Sequence, residues 1–162
     1  MPSNIIIGID PGIADAGYGV ISSDGGRDKC LAYGSIRTAA GLPAAVRLKK
    51  LHDELRALIE RYRPRQAAIE KLFFSKNVKT ALQVAEARGV IRLCFEEAGL
   101  PCREFGPAEV KIAVSGHGGA AKQQMQKMVQ VLLRLPTMPE SDDAADALAL
   151  ALAMAHTNKF DQ

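Results

Sequence analysis

The segment Ile5-Ile6-Ile7-Gly8-Ile9-Asp10-Pro11-Gly12 constrains this chain more than any other. Its isoleucines favour an extended backbone, and the run reads as a buried strand. It ends on a carboxylate, and a Pro-Gly pair then turns the chain out of the sheet. An acid that ends a hydrophobic strand is costly unless it is solvated or paired with a cation. Gln66-Ala67-Ala68-Ile69-Glu70 repeats the pattern. Two such strands side by side bring Asp10 and Glu70 together, and the repulsion between them calls for a cation.

The remaining pattern fills in a sheet around these strands. Tyr18–Ser22 and Cys30–Ile36 read as second and third strands about the turn Ser23-Asp24-Gly25-Gly26, an antiparallel meander. A helix opens at Leu42-Pro43, carries Leu48, Leu51, Leu55, Leu58, Ile59 and Tyr62 at helical spacing, and closes at Pro64. Gln66–Glu70 is the fourth strand. Val78–Ala98 is a long helix ended by Gly99-Leu100-Pro101, and Cys102–Phe105 is the fifth strand. Pro107–Val114 is a short helix, followed by a glycine-rich loop over 115–119 suited to ordering on a nucleic acid. Ala120–Leu135 is helical, and Ser141 caps a last helix that runs to about His156. The order β-β-β-α-β-α-β-α-α-α predicts an α/β fold, a five-stranded mixed sheet with helices on both faces. In such sheets sites gather at the carboxyl ends of strands. No repeat or linker divides the 162 residues, so a single domain over 1–162 is expected.

Composition narrows the class. Aromatics are 5% and Trp is absent, so the core rests on Ile, Leu, Val and Ala. Cys30, Cys94 and Cys102 form no CxxC pair, which argues against zinc and fits a reducing cytoplasm. The N-terminus lacks a basic, apolar signal pattern, and Ala144–Ala155 is too short to span a bilayer, so no membrane partner is expected. The net charge of +3 is weak evidence for a nucleic-acid partner, but its distribution is uneven. Lys111, Lys122, Lys127 and Arg134 face only Glu109 between Phe105 and Arg134, while Glu140, Asp142, Asp143 and Asp146 follow with no Lys or Arg through Asn158. An acidic spot beside basic surface suits a metal-using enzyme acting on a polyanion. On charge alone, solvated helix faces account for it equally well.

Asp143 and Asp146 are three apart on the last helix and share a face, whereas Asp142 points elsewhere into solvent. A favourable helix N-terminus, worth ~0.3–1 kcal/mol per acid, explains Asp143 but Asp146 less well. Together with Asp10 and Glu70 they read as a metal site. Oxygen ligands without His or Cys suit Mg²⁺ or Mn²⁺. A pair of such ions supports in-line displacement at a phosphodiester, which needs no protein nucleophile. No GxSxG, HExxH or P-loop pattern competes. His52 and His156 read as surface residues, and His117 is a minor candidate for phosphate contact.

The segments GIDPGIADAGYGVI, AIEKLFFSKN, EARGVI and DDAADALALALA, in this order between Ile7 and His156, closely resemble those of RuvC-type Holliday junction resolvases. The resemblance implies a ribonuclease H-like fold, a homodimer, and two Mg²⁺ per active site, with Mn²⁺ able to substitute. It puts the family's four acids on Asp10, Glu70, Asp143 and Asp146, its aromatic wedge on Phe73 beside Phe74, and its phosphate-meeting lysines on Lys111 and Lys122. It further implies paired symmetric nicks in four-way junction DNA during recombination and repair, with the RuvA–RuvB branch-migration complex as partner. Phe73 and Phe74 also stand, in sequence, between the acid Glu70 and the polar stretch Ser75-Lys76-Asn77. Rings so placed can stack on or wedge between bases, so Phe73, Phe74 and Lys76 are expected at the DNA. One ring could instead fold onto the next helix. The alternative function is a related ribonuclease H-like nuclease acting on RNA, as YqgF-like enzymes do, or on other branched DNA. A non-catalytic junction-binding module would have no need of all four acids. An ATP-binding fragment lacks its second lobe.

Overall fold

The computed structural model describes residues 3–72 and 77–157. The elements are β1 (Asn4–Asp10), β2 (Asp15–Asp24), β3 (Arg27–Arg37), α1 (Ala44–Tyr62), β4 (Gln66–Glu70), α2 (Val78–Glu97), β5 (Cys102–Phe105), α3 (Pro107–Ser115), α4 (Lys122–Leu133) and α5 (Asp142–Thr157). The strands form one mixed sheet in the order β3-β2-β1-β4-β5. β1 is antiparallel to β2 and parallel to β4, and β4 is parallel to β5. The two acid-ended strands are therefore neighbours that run the same way, with Ile9 opposite Ile69.

Two hydrophobic cores lie on opposite faces of the sheet, as the expected α/β layers require. On one face Ile7, Ile9 and Ile69 pack with Leu51 and Leu55 of α1 and with Ile91 and Phe95 of α2. On the other, Ile6 and Ala68 pack with Val110 of α3, Val129 of α4 and the length of α5. Side chains alternate across a strand, so Ile6, Gly8 and Asp10 share a face, as do Gln66, Ala68 and Glu70. That parity turns both strand-terminal carboxylates toward α5.

α5 lies unusually close to the sheet because both surfaces lack bulk. It carries ALALALAMA, buried from Ala147 through Ala155. Opposite it, a Cβ on Gly8 would meet the Ala147 carbonyl oxygen at 2.1 Å, and one on Gly17 the Asp143 carbonyl oxygen at 2.0 Å. No real side chain tolerates such distances. Gly8 and Gly17 therefore let the helix backbone rest directly on β1 and β2. Ser141 caps α5 as expected, its Oγ accepting from Ala144 N–H at 3.3 Å.

The structure departs from the sequence reading at several places. β2 and β3 reach beyond their expected ends, to Asp15, Asp24, Arg27 and Arg37, because a two-residue turn suffices. Gly25 and Gly26 take it with φ of 57° and 137°, and Asp24 pairs with Arg27. α4 starts at Lys122, two residues late. His52 and His156 are not free surface residues. His52 is half-buried and bridges α1 to α2 through Glu97, 2.7 Å from Nε2. His156 is also half-buried, with Nδ1 2.9 Å from the Ala113 carbonyl and Nε2 2.9 Å from Asp28. Its ring joins α5, α3 and β3, so the end of α5 is pinned.

Candidate active site

Asp10, Asp143 and Asp146 each present a carboxylate oxygen, and these oxygens lie within 4.8 Å of one another. Among the described residues this is the one such acidic set. β1 supplies Asp10 at its carboxyl end, and the first turns of α5 supply the other two at i and i+3. Glu70, at the end of the adjacent parallel strand, stands beside the set and is coupled to it electrostatically.

Electrostatics show what the cluster lacks. The Asp10 carboxyl is pushed up to about 8, first by burial and then by the charges of Glu70, Asp146 and Asp143, with a hydrogen bond to Asp143 adding to the effect. Burial, then the charge of Asp146, raises Glu70. Asp146 keeps a solvent-facing edge, yet the protein mass behind it raises its carboxyl as well, against the lowering influence of Lys122. Like charges gathered with only Lys122 to offset them hold a proton that a cation can replace. Hard oxygen donors, with no His or Cys in the set, fit Mg²⁺ or Mn²⁺.

A cleft opens beside the acids between the end of β4 and helices α3, α4 and α5. Glu70, Asp146, Lys111, Lys122 and Gln126 line it. The two lysines expected to meet phosphate thus face the same opening as two of the acids. Lys122 is held there by Asp142, with Nζ 2.6 Å from Oδ2, and Gln126 donates to the other oxygen of Asp142 at 2.9 Å. Asp142 is solvent-exposed, as read from sequence, and also pairs with Lys122 at this lip. No local spacing announces it, because Lys122 and Asp142 lie on different helices. His117 is exposed and does not line the cleft; its Nδ1 accepts from Gly119 N–H at 3.1 Å. Phe73, Phe74 and Lys76 lie outside the described residues.

The family model described as crossover junction endodeoxyribonuclease RuvC matches residues 6–156. The chain belongs to the RuvC family. A relative of that description from Brevibacillus brevis is 50% identical over 155 residues, covering 96% of this chain and 93% of its own. One from Chloroflexus aggregans is 52% identical over 151 residues, covering 93% and 92%. Among solved structures, T. thermophilus RuvC in complex with Holliday junction substrate superimposes with a TM-score of 0.94 at 34% identity, covering 98% of this chain and 96% of that one. The yeast mitochondrial Holliday junction resolvase Ydc2 matches with a TM-score of 0.67 at 14% identity, a likeness of fold alone. The RuvC fold seen here is the ribonuclease H-like mixed sheet that the resemblance implied.

Proposed function

We propose that this chain is a structure-selective endonuclease that resolves four-way DNA junctions by paired symmetric nicks, with divalent cations, Mg²⁺ in the first place, held by Asp10, Glu70, Asp143 and Asp146. The observation that carries the reading is the convergence of carboxylate oxygens of Asp10, Asp143 and Asp146 within 4.8 Å, beside a cleft that Asp146 lines together with Glu70 and two lysines. When bound there, two such ions supply Lewis-acid stabilisation of the phosphodiester and an activated water. The acids contribute by their placement: β1 and β4 bring two from the sheet, and α5 brings two on one helical face. Lys111 and Lys122 contribute by holding phosphate oxygens against the cleft. Phe73 and Phe74, with Lys76, would enter the strained bases at the exchange point. The chain acts as one nuclease domain, in the cytoplasm and with the RuvA–RuvB complex.

A homodimer supports paired nicking, because two cuts need two active sites. α2 supports it physically. Val78, Leu82 and Leu93 stand 66%, 60% and 55% exposed, more apolar surface than a solvated helix needs. Sedimentation at micromolar concentration, with junction present, reports the assembly; a monomer only would count against it.

Incubation of the protein with a synthetic four-way junction and Mg²⁺, followed by mapping of the cuts, tests the reading. Paired nicks at symmetric positions are expected, with intact duplex and RNA spared. Preferential cleavage of RNA, or of branched DNA without symmetry, would assign it to another ribonuclease H-like activity.

A further inference from the structure

Arg88 of α2 is a charged residue with no part in the site as described so far. It belongs to the segment EARGVI, and its side chain is only 11% exposed. A guanidinium so enclosed needs a partner. Glu104 of β5 provides one, with Oε1 2.7 Å from Nη2, although the carboxylate sits off the N–H directions and the contact is an ion pair rather than an aligned hydrogen bond. The directed bond goes elsewhere: Nε donates to the main-chain carbonyl oxygen of Glu70 at 3.4 Å. Pro11, Leu72, Val84 and Pro107 enclose the space around it.

The place of this bond matters. Glu70 is the last residue of β4, paired to Phe105 on one side, while the pairing with β1 has ended at Ile69. From Lys71 onward one ladder bond remains, Lys71 N–H to the Phe105 carbonyl at 2.9 Å. The Glu70 side chain points to the α5 face, into the charges of Asp10 and Asp146. Repulsion there pushes the strand end away from the acids. The tie from Arg88, anchored at its far end by β5, opposes that push.

We propose that Arg88 is a positioning residue, which fixes the end of β4 through the Glu70 carbonyl and so sets where the Glu70 carboxylate stands in the metal-binding cluster. The inference rests on the metal reading given under Proposed function. It depends on the forked shape of arginine, whose separate N–H groups reach two partners at once. Lysine keeps the charge and can keep the pair with Glu104, but a single ammonium cannot span both groups.

The test is thermal melting of the full chain in chelator, then across a MgCl₂ titration, without DNA. The parent is expected to melt higher as Mg²⁺ rises. Arg88→Lys should melt close to the parent in chelator and need about tenfold more Mg²⁺ for half of the shift, the usual scale for loss of a ligand's support. A Mg²⁺-responsive parent with an unchanged midpoint in Arg88→Lys overturns the proposal, as does a lower chelator melting point with the midpoint unmoved, which is a structural role only. Should Arg88→Lys fail to fold, Glu104→Gln carries the test. It frees the guanidinium to swing, and the same rise in midpoint is expected; no rise overturns the role of Arg88. A parent whose melting ignores Mg²⁺ removes the metal site itself, a separate failure.

Discussion

The main chain of Asp143 lies so close to Gly17 that a Cβ there would stand 2.0 Å from the Asp143 carbonyl oxygen. The acid-bearing turn of α5 therefore touches β2 backbone to backbone. Gly17→Ala should force the start of α5 off the sheet and carry Asp143 away from Asp10. Overpacking of this kind costs about 1–3 kcal/mol. The melting point should fall, and Mg²⁺-dependent cleavage should fall further than stability explains. The same change at Gly41, where a Cβ meets nothing within 4 Å, should leave both unchanged. Equal, small effects at the two glycines would show that the close seating of α5 is dispensable.

Without a cation, the stability of the protein should fall as pH rises through neutrality. Asp10 is raised from 3.8 to about 8 in the fold, mainly by burial and then by Glu70 and its other acidic neighbours. A carboxyl with a raised folded value binds a proton that the unfolded chain releases. Its favourable contribution is complete below about pH 4 and is lost by about pH 8, at up to roughly 1.4 kcal/mol per pH unit. Melting in chelator from pH 5 to 8 should show this slope. Asp10→Asn should flatten it, and Mg²⁺ should offset it by replacing the proton. Asp10→Asn and Asp146→Asn should also abolish cleavage while junction binding persists, measured by gel shift. A variant that cuts at the parental rate takes that acid out of the site.

Lys122 is exposed and held by Asp142, and Lys111 lines the same cleft. Replacing either by Ala should weaken binding to all junction sequences about equally. Each change should also reduce the salt dependence of binding by about one counterion. Loss confined to one cut sequence would make these lysines base readers. Asp142→Asn should release Lys122 from its clasp, with the change in junction affinity measured in the same titrations.

Phe73→Ala should slow junction cleavage strongly with little loss of melting temperature. Base stacking is worth ~1–3 kcal/mol, which is ample to help present the phosphate. Phe95 and Phe105 supply the contrast, since both are fully buried. Phe→Ala at a core position costs ~3–5 kcal/mol of stability. A Phe73 variant that melts like a core variant and cuts normally in the cold is a packing change.

The parts of the fold that periodicity and strand termini control were legible in the sequence. Asp10 and Glu70 announce themselves as acids that end apolar strands, and Asp143 and Asp146 as a pair at helical spacing. Their convergence then follows from two parallel neighbours and one helix laid across them. The polar ends of β2 and β3 were not legible, because nothing in Asp15 or Arg27 favours a strand apart from its partner's ladder. Contacts between distant side chains leave no local trace either. Arg88 with the Glu70 carbonyl, Lys122 with Asp142, and His156 with Asp28 are set by tertiary approach alone. His156 read as a surface residue for that reason.

The seat of α5 on β1 and β2 also has a consequence for the life of the nascent chain. β1 leaves the ribosome well before α5, the helix that completes its acid cluster. Joining such remote segments is slow to nucleate, since the entropy of closing the whole intervening chain must be met first. Until then Asp10 and Glu70 are two acids at the ends of adjacent central strands, with no helix across them. The acid cluster therefore exists only once the two ends of the fold have met.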